Sequence, residues 1–155
     1  MSYIWFMLLF AIVHSIAYMV AGVIALKISK DIYEGKGRLC TFLNDMKDES
    51  ERKHVEKFFL PAQLVRGLLM GAVLLPILPA LVSLSFGMRL LFFAALMFVY
   101  THLSSASPFM DNIEGQVYFK KAFLMKKAFL KFQLEMVIYS VIFGTLVSVA
   151  LALFF

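Results

Sequence analysis

The chain has 155 residues, room for one compact domain, and 62% of them are hydrophobic, with a mean hydropathy of +0.86. Soluble domains are about 45–50% apolar, so this composition excludes a water-soluble fold and requires lipid to cover part of the surface. The net charge of +5 does not point to nucleic acid, because the basic residues flank apolar spans and form no soluble basic face; membrane lipids, anionic headgroups above all, are the expected partner.

Residues 1–26 carry no formal side-chain charge, and Tyr3 to Leu26 is long enough for a membrane crossing, which takes about 20 residues. A cleaved signal peptide wants a basic start and a shorter apolar run, so this stretch reads as a retained first span, about 3–26. It holds His14 and, one turn later, Tyr18, both expected within the membrane. Ala17, Ala21 and Ala25 form a ladder of small residues along it.

The first charged loop, 27–61, mixes both signs. Ser50 is placed to cap a short helix running to Phe59, and Pro61 to start or bend the second span. The loop reads as a solvated connector resting on headgroups or as a docking surface for another subunit. Cys40 lies within it. As the only cysteine it excludes an intrachain disulfide and a cysteine-based zinc site.

The second span, about 67–85, opens at Arg66 with Gly67-Leu-Leu-Met-Gly71, a spacing that lets helices approach closely. Pro76 and Pro79 remove backbone donors and should kink it. Ser83 to Gly87 reads as a tight turn, making an antiparallel hairpin with a third span at about 90–107. That span carries His102 near its end, with Thr101, Ser104 and Ser105 at helical spacing.

The second loop, 108–131, begins with an acid, amide and glycine stretch, Asp111-Asn112-Ile-Glu114-Gly115, which is expected to fold back into the mouth of the bundle. It continues with two copies of Lys-Lys-Ala-Phe-Leu, offset by six residues. Lys120, Lys121, Lys126, Lys127 and Lys131 interleave with phenylalanines, the pattern of an interfacial amphipathic helix whose lysines reach lipid phosphates. The fourth span, about 132–155, holds Glu135 one turn in, and the small pair Gly144 and Ser148.

The positive residues orient these spans. Nine lie between Lys27 and Arg66, five between Lys120 and Lys131, and only Arg89 falls between the second and third spans. Fourteen against one predicts two cytoplasmic loops and two outside termini. The fold class is therefore all-α, an integral membrane four-helix bundle forming one domain, most readily in a bacterial inner membrane. Four spans, outside termini and a long first loop resemble, in topology only, the membrane-associated eicosanoid and glutathione metabolism enzymes. The polar second helix of that family is missing from Arg66-Gly-Leu-Leu-Met-Gly71 onward, so the resemblance implies no activity.

Ionisable groups within spans are costly and often functional. His102, Glu135, Arg66, Ser105, Asp111, Asn112 and Glu114 are expected to form a polar cavity facing the cytoplasm, in which Glu135 pairs with Arg66 or His102. His14 with His102 is a pattern that haem uses, and His102, Asp111, Glu114 and Glu135 would suit a divalent metal. Neither spacing matches a ligand motif, and no cofactor or metal is expected. No nucleophile motif is present. Two functions follow: an accessory or structural subunit of a membrane complex or homo-oligomer, or a bundle that binds, transports or acts on a lipid or other amphiphile.

Overall fold

The computed structural model describes residues 3–107, 109–120, 124 and 126–155. Its regular elements are α1 (Tyr3–Ile28), α2 (Lys30–Tyr33), α3 (Glu49–Leu74), a 3-10 turn (Leu75–Ile77), α4 (Leu78–Ser83), α5 (Phe86–Ala95), a π-helical stretch (Leu96–Leu103), α6 (Ile113–Tyr118) and α7 (Lys126–Phe154). No strand occurs among the described residues. Four segments are long and apolar enough to cross a membrane: Tyr3–Ile28, Glu49–Ser83, Phe86–Leu103 and Lys126–Phe154.

α1 and α7 are the inner pair. They pack on each other, α3 packs on α1, and α5 packs on α7. The second and third spans are joined by the expected short turn, at which the Ser85 hydroxyl caps α5 by accepting from Met88 N. They nevertheless make few contacts with each other, because each lies along a different inner helix. Phe10 of α1, Leu74 of α3, Phe93 of α5 and Phe143 of α7 meet in the buried centre. The rings of Phe10 and Phe143 pack edge to face with centroids 5.2 Å apart.

Small residues set these distances. A Cβ built on Gly67 would lie 2.6 Å from the Ala11 Cα, and one on Gly144 would lie 2.9 Å from the Leu90 carbonyl oxygen. At Gly71 the nearest atoms are at 3.4 Å, an ordinary contact. Ser148 is wholly buried on the same helix as Gly144. The small-residue stripes are thus taken up within the chain.

The helix ends correct several expectations. Asp48, not Ser50, caps the second span's helix, its carboxylate accepting from Ser50 N and Glu51 N at 2.9 and 3.0 Å. α3 then runs unbroken through Pro61, so the cap helix and the span are one rod that starts long before residue 67. Pro76 and Pro79 do break it: without their N–H groups the chain tightens into the 3-10 turn and restarts as α4. The third span ends at Leu103, short of 107, and its last two turns are π-wound. Ser104 N donates to Val99 O, five residues back, at 2.8 Å. Bonding of this kind stacks residues five apart on one face, which is how both Met97 and His102 come to be buried.

The two termini share one end of the bundle, where Trp5 meets Phe154 and Phe6 meets Phe155. Both long connections gather at the other, the loop end. There the first connection is no loose connector. Ile32, Cys40, Met110, Ala128 and Phe132 form a second core, and Cys40 Sγ lies 3.7 Å from Met110 Sδ. Arg38 ties the loop from inside, donating to Gly35 O, Leu43 O and the Asp45 carboxylate. Gly35 has a φ of 85°, a left-handed turn that favours glycine, and its N–H donates to Asp45 Oδ1. Those backbone donors, from Gly35 and then Lys47, hold the Asp45 carboxyl below its ordinary range, with Arg38 adding to the effect.

Among the described residues, no interfacial helix stands apart from the fourth span. From Lys126 the basic segment is the first turn of α7 and continuous with the fourth span; Lys121 lies outside the described residues. Lys127 and Lys131 both bind Asp31 of α2, the former at 2.7 Å, and Lys131 also donates to Ile28 O. These two lysines thus join the loop end to α7. Lys120 and Lys126 are exposed.

Candidate functional site

Among the described residues, His14, His102 and Glu135 stand in three separate polar groups, not one. The first is a hydrogen-bonded chain through the buried centre. His14 Nε2 lies 3.1 Å from Gln63 Oε1 of α3, and His14 Nδ1 lies 2.6 Å from the Tyr139 hydroxyl of α7. That hydroxyl is 3.6 Å from Met97 Sδ of the third span. All four spans contribute. A neutral imidazole satisfies both partners, donating to the Gln63 carbonyl and accepting from Tyr139. Both ring nitrogens of His14 are therefore occupied by protein groups. Tyr18 packs edge to face on Tyr139, and Arg66 lies over the Tyr18 ring, 5.8 Å from its centroid.

The second group surrounds His102. Its Nε2 lies 3.2 Å from Gln133 Oε1, and its Nδ1 3.8 Å from Asp111 Oδ2. The acid, amide and glycine stretch folds back against the bundle here, burying Asp111 and Asn112. Asn112 shapes it. Its Oδ1 accepts from Phe109 N and Gly115 N, and its Nδ2 donates to Ser107 O at 2.7 Å and to Ser105 O at 3.5 Å. A Cβ on Gly115 would lie 1.5 Å from Phe109 O, so only glycine fits this turn. Burial raises the Asp111 carboxyl above the usual carboxylate range, against the opposing pull of His102. Glu114 is half-buried and enters neither contact. Among the described residues, no three His, Cys, Asp or Glu side chains gather as a metal site.

The third group contains Glu135, and its partner is not the expected one. Glu135 Oε2 accepts a 2.6 Å hydrogen bond from the Tyr33 hydroxyl of the loop; neither Arg66 nor His102 bonds to it. The other oxygen, Oε1, is buried with no hydrogen-bond partner. Burial, and then the Glu135 carboxylate itself, push the Tyr33 phenol far up, which keeps it a donor.

Glu135 and Tyr33 stand in the wall of a cavity of about 730 Å³. It lies where the second half of α1, the first turns of α3 and the start of α7 meet beneath the first connection. Tyr18, Tyr139 and Phe59 line it with their rings, Met19, Met46 and Met136 with thioethers, and Glu56 and Asn44 with polar groups. Gly22 opens the α1 wall; a Cβ there would meet nothing within 4 Å. Of the residues expected to form a polar cavity, only Glu135 lines this one, joined by Tyr18. Arg66 lines a groove on the outer face of α3, while His102, Asp111 and Asn112 form the separate group above.

Sequence reading missed Tyr33, Glu56 and Gly22 as cavity residues. Tyr33 is a lone aromatic in a charged loop, 102 positions from Glu135, and no local pattern signals that pairing. Gln63 and Tyr139 do carry a signal, being polar groups at the depth of the span histidines. No family model, curated protein or solved structure matches this chain.

Proposed function

We propose that this chain is a multi-pass membrane protein that holds an amphiphile, with the apolar part in the cavity and the polar end at Glu135. The cavity carries this reading: a largely apolar space of about 730 Å³ with the Glu135 carboxylate in its wall. Apolar pockets with a few placed polar groups are the usual form of small-molecule sites. The small-residue contacts that would favour a subunit role are taken up within the chain, Gly67 by Ala11 and Gly144 by Leu90.

The test is thermal unfolding of the detergent-solubilised protein against a panel of amphiphiles, with Gly22→Phe as the blocked control. At least one amphiphile should raise the midpoint of the wild type and not that of Gly22→Phe. Equal responses of the two proteins to every amphiphile would contradict the reading.

The proposal places the loop end in the cytoplasm of a bacterial cell and both termini outside the inner membrane. Fourteen of the 15 basic residues fall in the stretches 27–66 and 120–131, which supports that orientation. In a Cys40→Ser background, a cysteine at Lys36 should react with an impermeant maleimide only from the cytoplasmic side. Reaction from outside would reverse the topology. Exposed Lys120 and Lys126 are among the groups that meet anionic headgroups there.

A further inference from the structure

Resting on the amphiphile reading above, we infer that the cavity selects an amphiphile whose polar end is a cation, with Glu135 as its counter-charge. Among the described residues, the charged groups in the cavity wall are Glu135 and Glu56, both carboxylates, and no lysine or arginine lines it. This is so although the loop end is where the chain concentrates its basic residues. Arg52 pairs with Glu56 itself at 3.6 Å, which leaves Glu135 as the wall carboxylate without a basic partner among the described residues, and the other nearby cations are held elsewhere. Arg38 bonds to Asp45, Lys127 and Lys131 bond to Asp31, and Arg66 lies over the Tyr18 ring and lines the outer groove of α3.

Glu135 has one oxygen engaged by Tyr33 and one buried oxygen without a partner. A carboxylate held in a largely apolar wall is costly, and a cation bound in the cavity beside it reduces that cost. The rings of Tyr18, Tyr33, Phe59 and Tyr139 border the same space. Aromatic faces attract ammonium and other soft cations, and thioethers adapt to varied apolar shapes. An anionic head would meet the Glu135 carboxylate, with tyrosine hydroxyls and the Asn44 amide to receive it among the described residues. The chemistry fits a lipophilic ammonium or phosphonium ion, or the amine head of a lipid.

Calorimetric titration of the full chain in neutral detergent, with two probes of matched shape and opposite charge, tests this. Tetraphenylphosphonium should bind the wild type about tenfold or more tightly than tetraphenylborate. Glu135→Gln, of equal size, should weaken the cation by a similar factor, and Gly22→Phe should remove it. Glu56→Gln provides a second charge deletion should Glu135→Gln fail to elute as a monodisperse helical protein; it too should weaken the cation. Phosphatidylethanolamine added to the micelles should compete with the probe if a lipid amine is the occupant, and leave it unaffected if a free cation is. Tetraphenylborate binding as tightly as its partner, or charge deletions without effect, would overturn the inference and leave the amphiphile reading standing. Failure of any probe, charged or neutral, to bind in a way that Gly22→Phe blocks would overturn both.

Discussion

The Tyr139 hydroxyl and His14 Nδ1, 125 positions apart in sequence, lie 2.6 Å from each other at the buried centre of the bundle. The contact joins α1 to α7, and through Gln63 and Met97 it reaches both outer spans. Tyr139 also lines the cavity, so the same side chain borders the proposed ligand and anchors the core.

Tyr139→Phe keeps the ring and removes the donor. His14 Nδ1 is then left buried without a partner, which costs about 1–3 kcal/mol; interhelical hydrogen bonds in membranes average nearer about 0.6 kcal/mol. The expected loss is therefore about 1 kcal/mol. Reversible unfolding in mixed micelles measures it, and an unchanged stability would show that the His14 contact does not hold the bundle.

The two glycines of Gly67-Leu-Leu-Met-Gly71 should respond differently. Gly67→Ala drives a methyl into the α1 backbone at Ala11, whereas Gly71→Ala meets only ordinary contacts. Overpacking of this kind costs about 1–3 kcal/mol. Gly67→Ala should lose that much in the same unfolding assay, and Gly71→Ala should stay within about 0.5 kcal/mol of the wild type. Equal effects would mean that α1 and α3 do not pack through Gly67.

Asp31 gives a pH dependence of defined sign. Hydrogen bonds from Lys127 and then Lys131 lower its carboxyl from 3.8 to about 2. A depressed folded value means that the stabilisation is complete above about 3.8 and is lost as the pH falls from there through about 2. The unfolding midpoint of the wild type should fall through this window more steeply than that of Asp31→Asn. At neutral pH the same variant should alkylate Cys40 faster. Burial pushes that thiol up, and partly exposed ion pairs contribute about 0.2–1 kcal/mol, a rise of up to about fivefold in rate. Identical pH profiles would show that Asp31 does not join the loop end to α7.

The spans, the proline break and the closeness given by Gly67 were readable because each is local. A run of apolar residues, a missing N–H and a missing Cβ act on their own segment. The loop end was not readable, for the opposite reason. Its core joins Ile32 and Cys40 to Met110, Ala128 and Phe132 across two connections, and the charged residues around them conceal any periodicity. Glu135 is legible in the sequence as an ionisable group that needs a partner, yet the choice of Tyr33 over Arg66 depends on how the loop folds. The π turn that buries His102 had no signal at all, since its apolar sequence suits an ordinary helix equally well.

The most direct test of the cavity as a binding site is native mass spectrometry of the protein extracted gently from its own membrane. The wild type should retain one amphiphile adduct of defined mass, lost on stronger activation. Gly22→Phe, which adds a ring to a space with nothing within 4 Å of its Cβ, should give the bare chain under the same conditions. A bare wild type, or the same adduct retained at equal occupancy by Gly22→Phe, would contradict the account.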